Sequence, residues 1–233
     1  MTRVLILYYS GIGNTRLIAE YMRKYMSKQD EVEVELYSVE QIPEEQDYKK
    51  FDGLIIGFPT IHCSPAERIV KYLDSIDKIS KSLPTFIYTT CGMYQANTTR
   101  IFAKMCKKKN MIPIMDVAYR MPAVDGMLLT DKWIILEKSE KRLKERIERG
   151  CTAFLEKVKT ESWNIHIPTF KWYSILNYLN KLVGKNYVFP IYLNAEKCIG
   201  CNKCVQNCPS VAWEKLSLKK QKGPARIWKP FEI

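Results

Sequence analysis

Cys198, Cys201, Cys204 and Cys208 follow one another as C-x2-C-x2-C-x3-C, with Pro209 directly after the last. Thiolates are soft ligands, and spacings this short let three of them wrap one corner of an iron–sulfur cubane from a single loop. Backbone N–H groups of such a loop can bond to cluster sulfur, and Gly200 gives the chain the freedom to curl that tightly. Zinc sites usually set cysteine pairs apart by a longer gap, so iron–sulfur ligation is the better fit.

A second chemical stretch, SGIGNT, spans Ser10, Gly11, Ile12, Gly13, Asn14 and Thr15. It is rich in glycine and hydroxyl groups and stands between an apolar run and a helical stripe. Such a turn offers backbone N–H groups and a helix N-terminus to an anion. Ser10, Asn14 and Thr15 add side-chain donors. The turn holds no lysine, so it is not a Walker loop, and it does not follow G-x-G-x-x-G. A phosphate held without a basic residue suits a monoester on a tightly bound cofactor. The chain has only two histidines, His62 and His166, which leaves little room for histidine-based acid–base catalysis. His166 has no evident partner in the sequence and reads as structural.

These sites need elements to hold them. Val4 to Tyr9 is a continuous apolar run, as expected of a strand buried on both faces. Thr15 to Ser27 carries a helical stripe. Val32, Val34 and Leu36 alternate with Glu33 and Glu35, which predicts a more exposed second strand. Gly53 to Phe58 and Thr85 to Thr90 predict a third and a fourth. Ile112 to Tyr119 predicts a fifth, interrupted early by Pro113. Pro65 to Ser75 reads as a helix with Pro65 in its first turn. Asn97 to Lys109 reads as another, with Asn97 as its cap. Glu137 to Val158 is a long charged helix. Five strands alternating with helices predict a doubly wound α/β fold with a parallel sheet covered on both faces. Residues 161–195 break the pattern and read as a connecting segment with one helix, between a domain at 1–160 and a small module at 196–233.

The stretch Ile6 to Met22, ILYYSGIGNTRLIAEYM, resembles the FMN-phosphate signature of flavodoxins and departs only at Met22, where a branched aliphatic residue is usual. The resemblance implies strand order 2-1-3-4-5 with FMN at the switch point. It also implies two loops around the isoalloxazine ring, PTIHCS (59–64) and TTCGMYQAN (89–97). Carried over by position, Pro59, Thr60, Ile61 and His62 approach one side of the ring. Thr90, Cys91 and Gly92 line another, with Tyr94 as a stacking candidate. His62 there would donate to the ring or titrate near neutrality; a solvated loop residue is the plainer reading.

The cysteine run, in turn, resembles half of a bacterial two-cluster ferredoxin. That resemblance implies that Cys198, Cys201 and Cys204 serve one 4Fe-4S cluster and Cys208 a second. No cysteine follows Cys208, so the ligand set is incomplete in this sequence. Four explanations stay open: a fragment, a degenerate copy, a cluster with three cysteines or a non-cysteine fourth ligand, or closure by Cys208 or a thiol from another chain. Together the two resemblances are those of the flavodoxin–ferredoxin fusion proteins of anaerobic microbes, and they imply an electron relay between FMN and an iron–sulfur cluster.

Other function classes fare less well. No run of about 18 apolar residues suggests a membrane span, and no export signal is seen at Met1 to Tyr9. Of eight cysteines, Cys63, Cys91, Cys106 and Cys151 stand singly, which reads as reduced thiols in a cytoplasmic protein. The formal charge is +12, of which residues 171–233 supply 11 − 3 = +8. This excess suits an acidic redox partner protein. It also allows a nucleic-acid or anionic-surface binder built on Lys219, Lys220, Lys222, Trp213 and Trp228, but a solvated hairpin between cluster motifs is the plainer reading. A flavin-dependent reductase of a small acceptor such as a quinone is the enzymatic alternative.

Overall fold

The structure, a computed structural model, describes residues 1–43, 45–92, 94–121, 137–175 and 199–206. The chain divides into two compact units, Met1–Asn177 and Tyr178–Ile233. In the first, β1 (Thr2–Tyr8), β2 (Val32–Ser38), β3 (Gly53–Ile61), β5 (Leu83–Cys91) and β6 (Met111–Arg120) form a sheet in the order β2-β1-β3-β5-β6. These are the five expected strands in the expected order, and all pair in parallel. A further two-residue strand, β4 (Ser64–Pro65), turns back antiparallel on β3. Pro65 is therefore a strand residue, and α2 (Glu67–Ser75) begins beyond it.

The apolar runs are continuous because the inner strands have two dry faces. Val4 and Ile6 of β1 point into one core layer, with Ile18 and Met22 of α1 (Asn14–Met26) and Phe154 of α4 (Glu137–Lys159). Leu5 and Leu7 point into the other, with Ile69 of α2 and Phe102 and Cys106 of α3 (Thr98–Lys108). Every residue of β5 is buried, whereas every residue of β2, at the sheet edge, is half-buried. There Glu33 and Glu35 face the side chains of Arg3 and Lys50 at 3.0 and 2.8 Å. Pro113 does not end β6. It coincides with a register shift against Thr85 and Phe86, the irregularity that an edge strand tolerates at proline.

Residues 161–175 run along the first unit. The His166 N–H donates to the Pro113 carbonyl at 2.7 Å, so this segment satisfies part of an otherwise open strand edge. The His166 ring also has a partner after all, Asp116 Oδ1 at 2.8 Å. Farther on, Arg100 Nη1 donates to the Pro168 carbonyl at 2.6 Å. Asn97 precedes α3 but does not cap it with its side chain. Its Oδ1 instead accepts from Lys171 N at 2.8 Å, and its Nδ2 donates to the Lys171 carbonyl at 3.2 Å and to Ser174 Oγ.

Of the second unit, only residues 199–206 are described. They form a loop and the short helix α5 (Lys203–Gln206), whose Gln206 N–H reaches the Asn202 carbonyl at 3.0 Å. Residues 176–195 of the connecting segment in which one helix is expected, Cys198, Cys208 and the basic stretch with Trp213 and Trp228 lie outside the described residues.

Candidate functional site

The turn between β1 and α1 is shaped by one residue. Gly13 adopts φ +98° in the left-handed region, and a Cβ there would meet nothing within 4 Å. This conformation brings the Gly13 N–H to Ser10 Oγ at 3.1 Å. Helix α1 then starts without a side-chain cap and without an acidic residue in its first turn. Its first N–H groups and its dipole are thus offered to an acceptor from outside. Gly11, Ile12 and Gly13 are exposed, Ser10 and Asn14 half-buried, and Thr15 buried. The residues present fit a phosphate group.

Behind the turn, four hydroxyl hydrogen bonds tie the loops together. Thr15 and Thr90 share a hydrogen bond at 2.8 Å, which joins the start of α1 to the end of β5. The Tyr88 hydroxyl donates to the Thr15 carbonyl at 3.0 Å from within the core. Thr60 and Thr89 meet at 2.9 Å, and Thr89 donates onward to the Phe58 carbonyl at 2.8 Å. The carboxyl ends of β1, β3 and β5 are neighbours through the pairs Tyr8↔Gly57 and Pro59↔Thr90. The structure therefore brings together, at one end of the sheet, the loops holding Ser10–Thr15, Pro59–His62 and Thr90–Gly92.

Between β3 and β4 the chain reverses in two residues, His62 and Cys63, at φ +46° and +58°. Both central positions are left-handed, the pattern of a type I′ hairpin turn, which normally takes Asn-Gly. His62 and Ile61 are exposed at the tip. The Cys63 thiol is pushed up by burial, and its hydrogen bond with Tyr94 acts the other way. Tyr94 is 41% exposed and packs edge-on against Tyr173 at 6.1 Å. Cys91 is buried and its thiol is also raised by burial, opposed by the cations of Arg120, Lys171 and Arg146. Neither thiol is shifted toward the reactive thiolate. Cys106 and Cys151 are fully buried core residues.

The sequence reading misses Gly57 and Tyr88, and places Thr89 in a ring loop without giving it a role. An isolated glycine inside a strand pattern is the one available signal, since it marks a close approach. A broad depression of about 720 Å³, bordered by Gln46, Tyr48 and Tyr72, shares no residue with these loops.

In the second unit, Gly200 and Asn202 take φ +69° and +57° on either side of Cys201. Cys201 is exposed and in no disulfide. Cys204 lies within α5. A tightly curled loop with cysteines at these spacings fits the donor set of an iron–sulfur cluster.

A family model described as a flavodoxin domain matches residues 5–122. A second, described as a 4Fe-4S binding domain, matches residues 191–214. The first domain implies FMN and the second a 4Fe-4S cluster. No curated protein matches the sequence. Among solved structures, the chain is similar to rubredoxin oxygen:oxidoreductase from Desulfovibrio gigas, with TM-score 0.52, 14% identity, and coverage of 69% of this chain and 37% of that one. It is also similar to a short-chain flavodoxin associated with a non-canonical PDU bacterial microcompartment, with TM-score 0.50, 14% identity, and coverage of 68% and 99%. A flavodoxin from the domain Archaea aligns with TM-score 0.49, 15% identity, and coverage of 68% and 99%. At these identities the likeness is one of fold.

Proposed function

The chain belongs to the flavodoxin domain family and pairs that domain with a 4Fe-4S binding domain, which supports a role in electron transfer; we propose that it relays electrons between FMN at the β1, β3 and β5 loops and an iron–sulfur cluster of the cysteine run, in which Cys198, Cys201 and Cys204 serve one cluster and Cys208 a second. FMN passes electrons singly or in pairs and a cluster passes them one at a time, so joining the two converts one kind of traffic into the other. The residues supply binding and orientation. In this reading Ser10, Gly11, Ile12, Gly13, Asn14 and Thr15 hold the phosphate. Pro59, Thr60, Ile61 and His62 flank the ring on one side, Thr90, Cys91 and Gly92 on another, and Tyr94 is positioned to stack. A redox partner protein delivers or removes electrons, and the chain's positive charge favours an acidic one. No described helix is long and apolar enough to cross a membrane, and the reading places the protein in the cytoplasm.

The observation that carries the flavin assignment is the uncapped, acid-free start of α1 behind a left-handed Gly13, fastened to β5 by Thr15 and Tyr88. Two charge-assisted hydrogen bonds of roughly 1.5 kcal/mol each should favour FMN over riboflavin by about a hundredfold. Gly13→Glu puts a carboxylate into that position and should abolish the preference, with far-ultraviolet circular dichroism confirming that the domain is folded. Equal affinity of the unaltered chain for FMN and riboflavin would sink the phosphate assignment.

A further inference from the structure

We propose that the carboxyl ends of β5 and β6, with residues 171–173 beside them, form the docking surface for an acidic redox partner protein. The proposal rests on the relay reading and adds where the partner binds.

Three cations reach this edge from three separate elements. Arg120 ends β6 and stands in register with Cys91 of β5. Arg146 comes from α4; its Nη2 donates to the Ala118 carbonyl at 3.0 Å, and its guanidinium lies over the Tyr119 ring at 5.6 Å. Lys171 comes from the segment along α3, held there by the two backbone bonds to Asn97. Arg120 and Arg146 are exposed and Lys171 is half-buried. All three act on the Cys91 thiol in the same direction, lowering its pKa against the effect of burial. Two acids on the same elements, Asp116 and Glu148, have other partners. Asp116 of β6 is held by Thr99 and His166, and Glu148 of α4 accepts from the Tyr21 hydroxyl. Arg120, Arg146 and Lys171 thus place three positive charges at this edge.

The same edge exposes a run of aromatic rings. Trp172 is 72% exposed and Tyr173 40%. Tyr173 packs against Tyr94 at 6.1 Å and Trp172 against Tyr173 at 6.3 Å, both edge-on. Trp, Tyr and Arg are the residues that dominate binding energy at protein interfaces. Here Arg120 is in register with Cys91, Tyr94 of the same loop packs on Tyr173, and the Asn97 clamp fixes the backbone at Lys171. A partner seated on this edge approaches the loops assigned to the ring, and complementary charge would steer it there.

Arg120→Glu combined with Lys171→Glu tests this, because the clamp uses Lys171 backbone atoms and survives the change. Binding of the full chain to an acidic [2Fe–2S] ferredoxin as probe should weaken by about tenfold or more at low salt. Binding of a basic c-type cytochrome should strengthen. Trp172→Ala should also weaken the acidic probe, without altering its salt dependence. Unchanged affinity in the charge-reversed variant would overturn the proposal. So would an equal loss of binding to single-stranded DNA, since that would assign the cations to a nucleic acid. Association needs no flavin, so a chain that fails to bind FMN would undo the relay reading and still leave this binding result to be judged.

Discussion

Gly57 and Tyr88 show how much of the proposed flavin site depends on one missing side chain. A Cβ on Gly57 would lie 1.9 Å from Tyr88 Cζ. Tyr88 is fully buried and cannot swing into solvent. Its hydroxyl supports the first turn of α1 through the Thr15 carbonyl. Gly57→Ala should therefore cost about 1–3 kcal/mol in urea unfolding, the usual range for overpacking, and should loosen FMN. Tyr88→Phe should cost only about 1 kcal/mol, the value of the hydrogen bond. A Gly57→Ala protein as stable as the parent would contradict this packing. The sequence shows Gly57 as an oddity within a strand but does not show what fills the space. Tyr88 is distant along the chain, and only the parallel pairing of β3 with β5 brings the two together. The Ser10–Thr15 turn was legible for the opposite reason: its donors and its helix start are contiguous.

At the scale of elements, the strands could be read because burial on both faces leaves an unbroken apolar run. The β3–β4 reversal could not. Ile61-His62-Cys63-Ser64 holds none of the glycine, asparagine or aspartate residues that announce a type I′ turn. The next residue, Pro65, points equally to a helix start. Non-glycine residues in this region carry strain of order 1–3 kcal/mol each, which persists where the surroundings impose it. His62→Asn with Cys63→Gly should relieve part of it and stabilise the fold by about 1 kcal/mol, within the range of compatible turn replacements. If the turn is held in place for the flavin ring, the same change should weaken FMN binding. No gain in melting temperature would show the turn to be unstrained. The segment at 161–175 was equally opaque. Asn97 looks like a helix cap in sequence, and nothing local reveals that its amide is engaged by Lys171 and Ser174.

Across the whole molecule, the two cofactor modules were legible by different routes. The flavodoxin domain shows itself through a fold, in the order β2-β1-β3-β5-β6. The cluster module shows itself through ligand spacing, which metal geometry imposes whatever the surrounding fold. Spacing does not reveal which cysteines share a cluster, because that depends on thiols brought together in space. Nor does it reveal whether electrons pass between the modules. Injecting one electron with a laser-flash-excited deazaflavin, and following flavin absorbance and cluster bleaching together, tests that step directly. An intramolecular relay predicts that the electron redistributes between the two cofactors in a first-order process whose rate constant is the same at every protein concentration. A rate that rises in proportion to protein concentration, or an electron that remains on the cofactor it first reached, would contradict it.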